Sequence, residues 1–188
     1  LYKIFDEIIV NAADNSQRGS GMTYIKVEID KSVGQISIKN DGKGIPVDIH
    51  KEHKCYVPDM IFGQLLTGSN FDDDQKKTTG GRNGYGAKLT NIFSKKFIVE
   101  CGDARRKKKI TIVWVNNMSK KETEKVEDYT GDGDFTKVTF EYRTTDARGT
   151  VTPIRVGWDV GTAKGTYSGT TGGGIKVAVV GGTSNDTG

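Results

Sequence analysis

Only two cysteines, Cys55 and Cys101, occur in 188 residues, too few for a disulfide framework and in keeping with a reducing compartment. No apolar run approaches the roughly 18 residues that a membrane helix needs, and no signal-type apolar stretch opens the chain. Neither sign of charge dominates: 28 Lys and Arg against 24 Asp and Glu leave +4, weak grounds for an anionic partner. What is present is a globular balance, 34% hydrophobic and 28% charged with a mean hydropathy of −0.53. That is too rich in Ile, Val and Phe for disorder over most of its length. A chain of 20.5 kDa can bury a core without disulfides or metals, in one domain or little more. It opens Leu1-Tyr2-Lys3 without an initiator Met and reads as a piece of something longer.

Composition changes near residue 143. Residues 144–188 carry only seven charged side chains but 11 of the 25 glycines and ten threonines. Such a stretch has little apolar area to offset its ordering entropy. The expected organisation is therefore a folded unit over 1–143 and a weakly ordered or divergent Gly/Thr-rich tail over 144–188. The tail holds two β-type runs, 150–156 and 175–180.

Within the first unit, Ile4, Phe5, Ile8, Ile9 and Ala12 recur at helical spacing and predict an amphipathic helix over 2–13. Alternating runs at 24–30 and 35–40, joined through Val33-Gly34, predict a β-hairpin. Pro58 suits a helix start, with Met60, Ile61, Leu65 and Leu66 behind it. A further helix is expected over 87–94, and strands over 97–101, 110–116 and 137–142. Residues 119–134, with Lys120, Lys121, Glu122, Glu124 and Lys125, read as a solvated connection. Grouped rather than alternating elements predict an α+β, two-layer sandwich of helices on a mixed or antiparallel sheet.

Three segments could carry chemistry. On the first helix Glu7, Asn11 and Asn15 are spaced four apart and share a face. A carboxylate beside an amide oxygen can hold Mg²⁺, which keeps several of its waters, and can polarise one water as a general base. The ordinary alternative is a wet helix face. Asn40-Asp41-Gly42-Lys43-Gly44-Ile45-Pro46 follows a strand, where glycines allow close backbone approach and a side-chain acceptor could read an exocyclic amine; a simple turn is the alternative. Residues 79–88, Thr-Gly-Gly-Arg-Asn-Gly-Tyr-Gly-Ala-Lys, open a helix whose free N–H groups suit phosphate, against the alternative of a plain loop. They lack the Lys-Ser/Thr of a P-loop.

In that order and at those spacings the three segments resemble the N, G1 and G2 boxes of the Bergerat-fold (GHKL) ATPases, which include gyrase, heat-shock protein 90, MutL and histidine kinases. Residues 1–14, 38–46, 56–67 and 79–94 are similar to the N-terminal ATPase domain of eukaryotic-type DNA topoisomerase II. The runs 58–67 and 69–74 are especially close. The resemblance covers residues 1–142 and implies a Bergerat fold incomplete at its N-terminus. It implies ATP and Mg²⁺ as cofactors, with Glu7 as the catalytic base and Asn11 as metal ligand and phosphate contact. Asn40 falls at the adenine-reading position, an Asp in many relatives, and Gly42 and Gly44 leave the nucleotide room. By the same resemblance Ser69 and Asn70 would contact ribose and phosphate, although Gly68 stands where a second Ser is expected. Gly81, Arg82, Asn83, Gly84, Tyr85, Gly86, Ala87 and Lys88 would wrap the triphosphate.

For the whole enzyme the resemblance implies ATP-driven homodimerisation into a gate, with DNA strand passage. It implies no membrane, and a nuclear location in a eukaryote, otherwise a cytoplasmic or viral one. No Gln-x-Lys loop reaching the terminal phosphate and no DNA-cleaving domain is recognisable here, so weak or absent turnover is expected of this chain alone. Two other readings stand beside it. One is a nucleic-acid or partner-binding module with a vestigial nucleotide site, suggested by the basic run at 105–109. The other is a chaperone or mismatch-repair ATPase of the same fold. His50, His53 and Cys55 also lie close enough in sequence for a metal clip.

Overall fold

The computed structural model describes residues 2–30, 33–64, 85–142, 167–170 and 176–181. Helix α1 spans Tyr2–Gln17, one turn beyond the expected range. Its apolar face buries Ile8 and Ala12, with Ile4, Phe5 and Ile9 packed partly beneath them. It stops at Gly19, whose φ of +68° is a left-handed exit that glycine adopts without penalty, and whose N–H donates to Ser16 O at 3.1 Å.

The hairpin follows as β1 (Tyr24–Asp30) and β2 (Gln35–Asn40), then α2 (Val57–Gly63) and α3 (Gly86–Phe93). Pro58 sits in the first turn of α2, where its missing N–H costs nothing. This helix ends at Gly63; Leu65 and Leu66, expected to continue it, lie outside the described residues. After α3 come β3 (Lys96–Asp103), β4 (Lys108–Val115), β5 (Lys120–Asp128), β6 (Phe135–Glu141), β7 (Tyr167–Thr170) and β8 (Lys176–Gly181).

The strands form one eight-stranded mixed sheet in the order β5-β4-β3-β6-β2-β1-β8-β7, in which only β1–β8 is parallel. Register aligns the core in rows. Trp114, Phe97, Phe140, Ile36 and Ile29 lie side by side across five strands, as do Ile112, Val99, Val138, Ile38 and Val27. These rows meet Phe62 of α2, Ala87 of α3 and Ile8 of α1 in one buried cluster, each large side chain contributing about 1.5–3 kcal/mol. The opposite face is wet and charged. Lys109 pairs with Glu100 and Glu127, and Lys137 with Glu100. One helical layer on one sheet is the expected two-layer α+β sandwich.

Strand β5 corrects the sequence reading of 119–134 as a solvated connection. Its side chains are mostly exposed and carry charges of both signs, so no hydrophobic period marks it, yet its backbone pairs with β4 from Val115 to Lys108. A charged edge of this kind also discourages a further strand from adding. Lys121 reaches back to the buried Asp59 of α2 at 3.1 Å. The tail's run at 175–180 appears as β8, paired with β1; β7 was not foreseen, and the run at 150–156 lies outside the described residues.

Candidate functional site

Glu7, Asn11 and Asn15 stand one turn apart on α1, spanning roughly 12 Å of helix. At one end α1 meets the start of α3. A Cβ added to Gly86 would lie 1.8 Å from Glu7 Oε2 and 3.0 Å from Glu7 Cβ, so the carboxylate lies against bare backbone. Thr90, one turn further on, donates its hydroxyl to Ile4 O at 3.0 Å and ties the two helices together. Lys3 Nζ reaches Glu7 Oε1 at 2.6 Å, a solvent-facing pair of little energetic weight.

At the other end, Asn15 Nδ2 donates to Lys43 O at 3.1 Å. A Cβ on Gly42 would fall 2.9 Å from that amide nitrogen, 2.8 Å from Ser20 Oγ and 2.7 Å from Met22 Cε. One face of α1 is thus bracketed by two glycines, Gly86 at Glu7 and Gly42 at Asn15. The exposed Asn11 lies midway.

Asn40 closes the third row of the sheet, beside Ile25, Thr136, Cys101 and Ile110. It is 6% exposed, and its Oδ1 accepts the Gly42 N–H at 3.3 Å. Its polar neighbour Thr136 is a site candidate that sequence reading missed, because the expected strand began one residue later. The two-residue alternation of Val138 and Phe140, carried back one step, would have found it.

Asp41 serves the fold: its carboxylate accepts the N–H groups of Thr23 at 2.9 Å and Tyr24 at 3.0 Å, and the Thr23 hydroxyl. Burial alone pushes this carboxyl up, but those donors more than offset it and leave it below its ordinary value. Gly44 donates to Asp134 Oδ2 at 3.1 Å, and a Cβ there would lie 3.0 Å from Gly102 O. Gly42 and Gly44, expected to leave room for a ligand, both lie hard against protein atoms, so what they permit is the close passage of this loop over α1 and β3.

At the start of α3, Ala87 packs in the core, which leaves its N–H as the group that could face a ligand. Lys88 is 6% exposed, with Nζ 5.8 Å from the centre of the half-exposed Tyr85 ring. Burial lowers its pKa. The Tyr85 side chain makes no capping hydrogen bond to this helix, whose first N–H groups carry the positive end of its dipole. Ser69, Asn70, Gly81, Arg82, Asn83 and Gly84 lie outside the described residues.

Residues 1–151 match the family described as "Histidine kinase-, DNA gyrase B-, and HSP90-like ATPase". The chain belongs to this ATPase family. DNA topoisomerase 2-beta of Gallus gallus is 60% identical over 141 residues, covering 75% of this chain and 9% of that protein. DNA topoisomerase 2 of Plasmodium falciparum is 59% identical over 146 residues, covering 75% of this chain and 10% of that protein. The chain thus spans about a tenth of the length of these curated relatives. Among solved structures, the ATPase region of Saccharomyces cerevisiae topoisomerase II superposes with a TM-score of 0.71 at 54% identity, over 76% of this chain and 38% of that one. The 43K ATPase domain of Thermus thermophilus gyrase B gives 0.57 at 25% identity, over 74% and 33%. Within the family, this GHKL chain therefore falls with the ATPase regions of type II topoisomerases, and its sheet and helices form the Bergerat fold.

Proposed function

We propose that this chain is the ATP-binding gate segment of a type II DNA topoisomerase, and that it binds Mg²⁺–ATP on the α1 face bracketed by Gly86 and Gly42. The observation that carries the reading is the contact of Glu7 with Gly86, because it sets a carboxylate against the N-terminal end of α3, where backbone N–H groups favour phosphate. The donors fit the metal as well. Mg²⁺ takes oxygen ligands and few of them from protein, and Asn11 offers an exposed amide oxygen one turn from Glu7. When bound, the ion would offset charge on the phosphate oxygens.

The chain's own groups divide the remaining work. Asn40, with Thr136 beside it, accepts from the adenine amine at the buried end of the site. Lys88, the segment 81–87 and the first N–H groups of α3 hold the phosphates, with Ser69 and Asn70 at the ribose side. Glu7 takes a proton from the water that attacks the terminal phosphorus as the bond to the ADP oxygen breaks. Positioning and electrostatics supply most of the rate in such transfers. In the full-length enzyme, ATP binding would pair two such domains and couple hydrolysis to DNA passage, in the nucleus if the source is eukaryotic. A nucleic-acid module built on the basic turn is less well supported, since Arg106 is held by Asp103 and Asp48 and Lys109 by Glu100 and Glu127. No helix among the described residues is long and apolar enough to cross a membrane.

Equilibrium titration with ATP, with and without Mg²⁺, tests the reading. Wild-type chain should bind, Asn11→Ala should lose the Mg²⁺-dependent part, and Glu7→Gln should bind without turnover. No measurable binding by a folded wild-type chain would overturn it.

A further inference from the structure

Between β2 and α2 the chain makes a closed loop that the ATPase reading does not use. Ile49 and Tyr56 form an antiparallel bridge. His50 N–H donates to Cys55 O at 2.8 Å, Lys54 N–H to His50 O at 2.9 Å and Val57 N–H to Asp48 O at 2.9 Å. Lys54 turns the corner with a φ of +54°. The backbone of residues 49–57 is therefore fixed by its own hydrogen bonds.

From this loop His50, Glu52 and His53 project together. One nitrogen or oxygen ligand atom from each lies within 4.8 Å of the others, and the two imidazole centres are 4.8 Å apart. Both imidazoles are half-buried and Glu52 is exposed. Around a zinc ion with bonds of about 2.0–2.1 Å, such ligand atoms stand roughly 3.3 Å apart, so side-chain rotation of the order of 1 Å closes the set without moving the backbone. His50 Nδ1 accepts the His53 N–H at 3.4 Å, the outer limit of a hydrogen bond, so ligation through either ring nitrogen displaces little.

Cys55 belongs to a different contact. Its Sγ accepts from Gln64 Nε2 at 2.9 Å, and burial, helped by the Asp59 charge, pushes the thiol above its ordinary pKa. The carboxylate of Glu52, and not the thiol that sequence spacing suggested, completes the cluster. Beside it lies an open hollow of about 460 Å³, lined by Asp48, His50, Glu52 and Arg106 among others, with room for water ligands. Two imidazoles and one carboxylate suit a borderline divalent ion better than Mg²⁺, which prefers oxygen alone.

We propose that His50, Glu52 and His53 form a second metal site, for a Zn²⁺-class ion with water completing its coordination, separate from the nucleotide face. The test is titration of the untagged full chain with Zn²⁺ against a chromogenic zinc indicator in Mg²⁺-containing buffer without nucleotide, with Co²⁺ as a spectroscopic substitute. One equivalent should bind. Loss of one ligand, in His53→Ala or in the milder surface change Glu52→Gln, should weaken binding by at least about tenfold, whereas Cys55→Ser should bind as wild type does. The Co²⁺ spectrum should lack the near-ultraviolet band of a thiolate ligand. Less than one equivalent bound, wild-type affinity in folded Glu52→Gln, or a thiolate band that vanishes in Cys55→Ser would each overturn the proposal.

Discussion

Glu7 occupies the space that a side chain at residue 86 would need: a Cβ there would come within 1.8 Å of its Oε2. The two positions are 79 residues apart in sequence, and their approach brings the carboxylate of α1 to the N-terminus of α3. Gly86 heads its helix, and Ala at a helix start carries no propensity penalty. Gly86→Ala should therefore leave the thermal midpoint within a few degrees of wild type while pushing the Glu7 carboxylate aside. Misplacing a reacting group by about 1 Å can cost about a hundredfold in rate. Single-turnover phosphate release from bound ATP should fall by that order, while binding falls less. Equal loss of stability and turnover would show that Gly86 serves packing alone.

Asn40 makes a second, separable expectation. It lies at the polar end of an otherwise apolar row and accepts the Gly42 N–H. Asn40→Ala removes the side-chain acceptor and leaves that N–H without its partner, at about 1–3 kcal/mol. ATP should lose its advantage over GTP in a competition titration by about ten- to a hundredfold, since a site that pairs with a polar group rejects the analogue lacking it far better than an apolar pocket does. Asn40→Asp keeps an acceptor and should retain most of the preference.

What could be read from the residues follows from which interactions are local. The apolar face of α1 recurs every three to four positions, so Ile4, Phe5, Ile8, Ile9 and Ala12 announce the helix without help from the rest of the chain. The β1–β2 hairpin likewise rests on alternation and the Val33-Gly34 turn. Strand β5 is charged at nearly every position and is held by backbone pairing to β4, so nothing in its side chains distinguishes it from a solvated loop. Thr136 looks like a polar strand end until Asn40 is known to lie opposite. Gly42 and Gly44 read as ligand-facing because glycine is silent about what it makes room for; only the distances to Asn15, Met22 and Gly102 O show that protein fills the space. The run at 175–180 is visible as β-type, but its parallel pairing with β1 spans about 150 residues and leaves no local mark.

Acid should loosen the loop that follows Asn40. Asp103 is 4% exposed and accepts N–H bonds from Val47 at 3.0 Å and Arg106 at 2.9 Å, with Arg106 Nη1 at 2.9 Å. Burial pushes its carboxyl up, yet the Arg106 and Val47 N–H groups and the Arg106 charge together bring it below the ordinary 3.8. A carboxyl lowered in the folded state adds stability that is complete above its unfolded value and disappears as pH falls through the folded one. The contribution should thus be intact above about pH 5, begin to fall near pH 4, and be gone only once pH drops below the lowered folded value. Asp103→Asn should lower the thermal midpoint at pH 7, and the gap from wild type should narrow as both are titrated from pH 5 toward pH 3. A gap independent of pH would mean that amide geometry, and not charge, sets the effect.

The two cysteines should report local and global opening separately. Cys101 is wholly buried beside Thr136, and desolvation pushes its thiol up to about 12, so the closed sheet both excludes reagent and holds almost no thiolate at neutral pH. Cys55 is half-buried on the loop before α2; burial raises its thiol as well, though it keeps access to solvent. In native buffer an aromatic disulfide reagent should modify one thiol per chain, slowly, at Cys55. The second equivalent should appear only across the denaturant range in which the sheet unfolds, since β3 sits between β4 and β6. Cys55→Ser should abolish the native-state reaction and leave the unfolding-linked one intact. Rapid modification of Cys101 in native protein would show that the row containing Asn40 and Thr136 opens locally, without unfolding of the sheet.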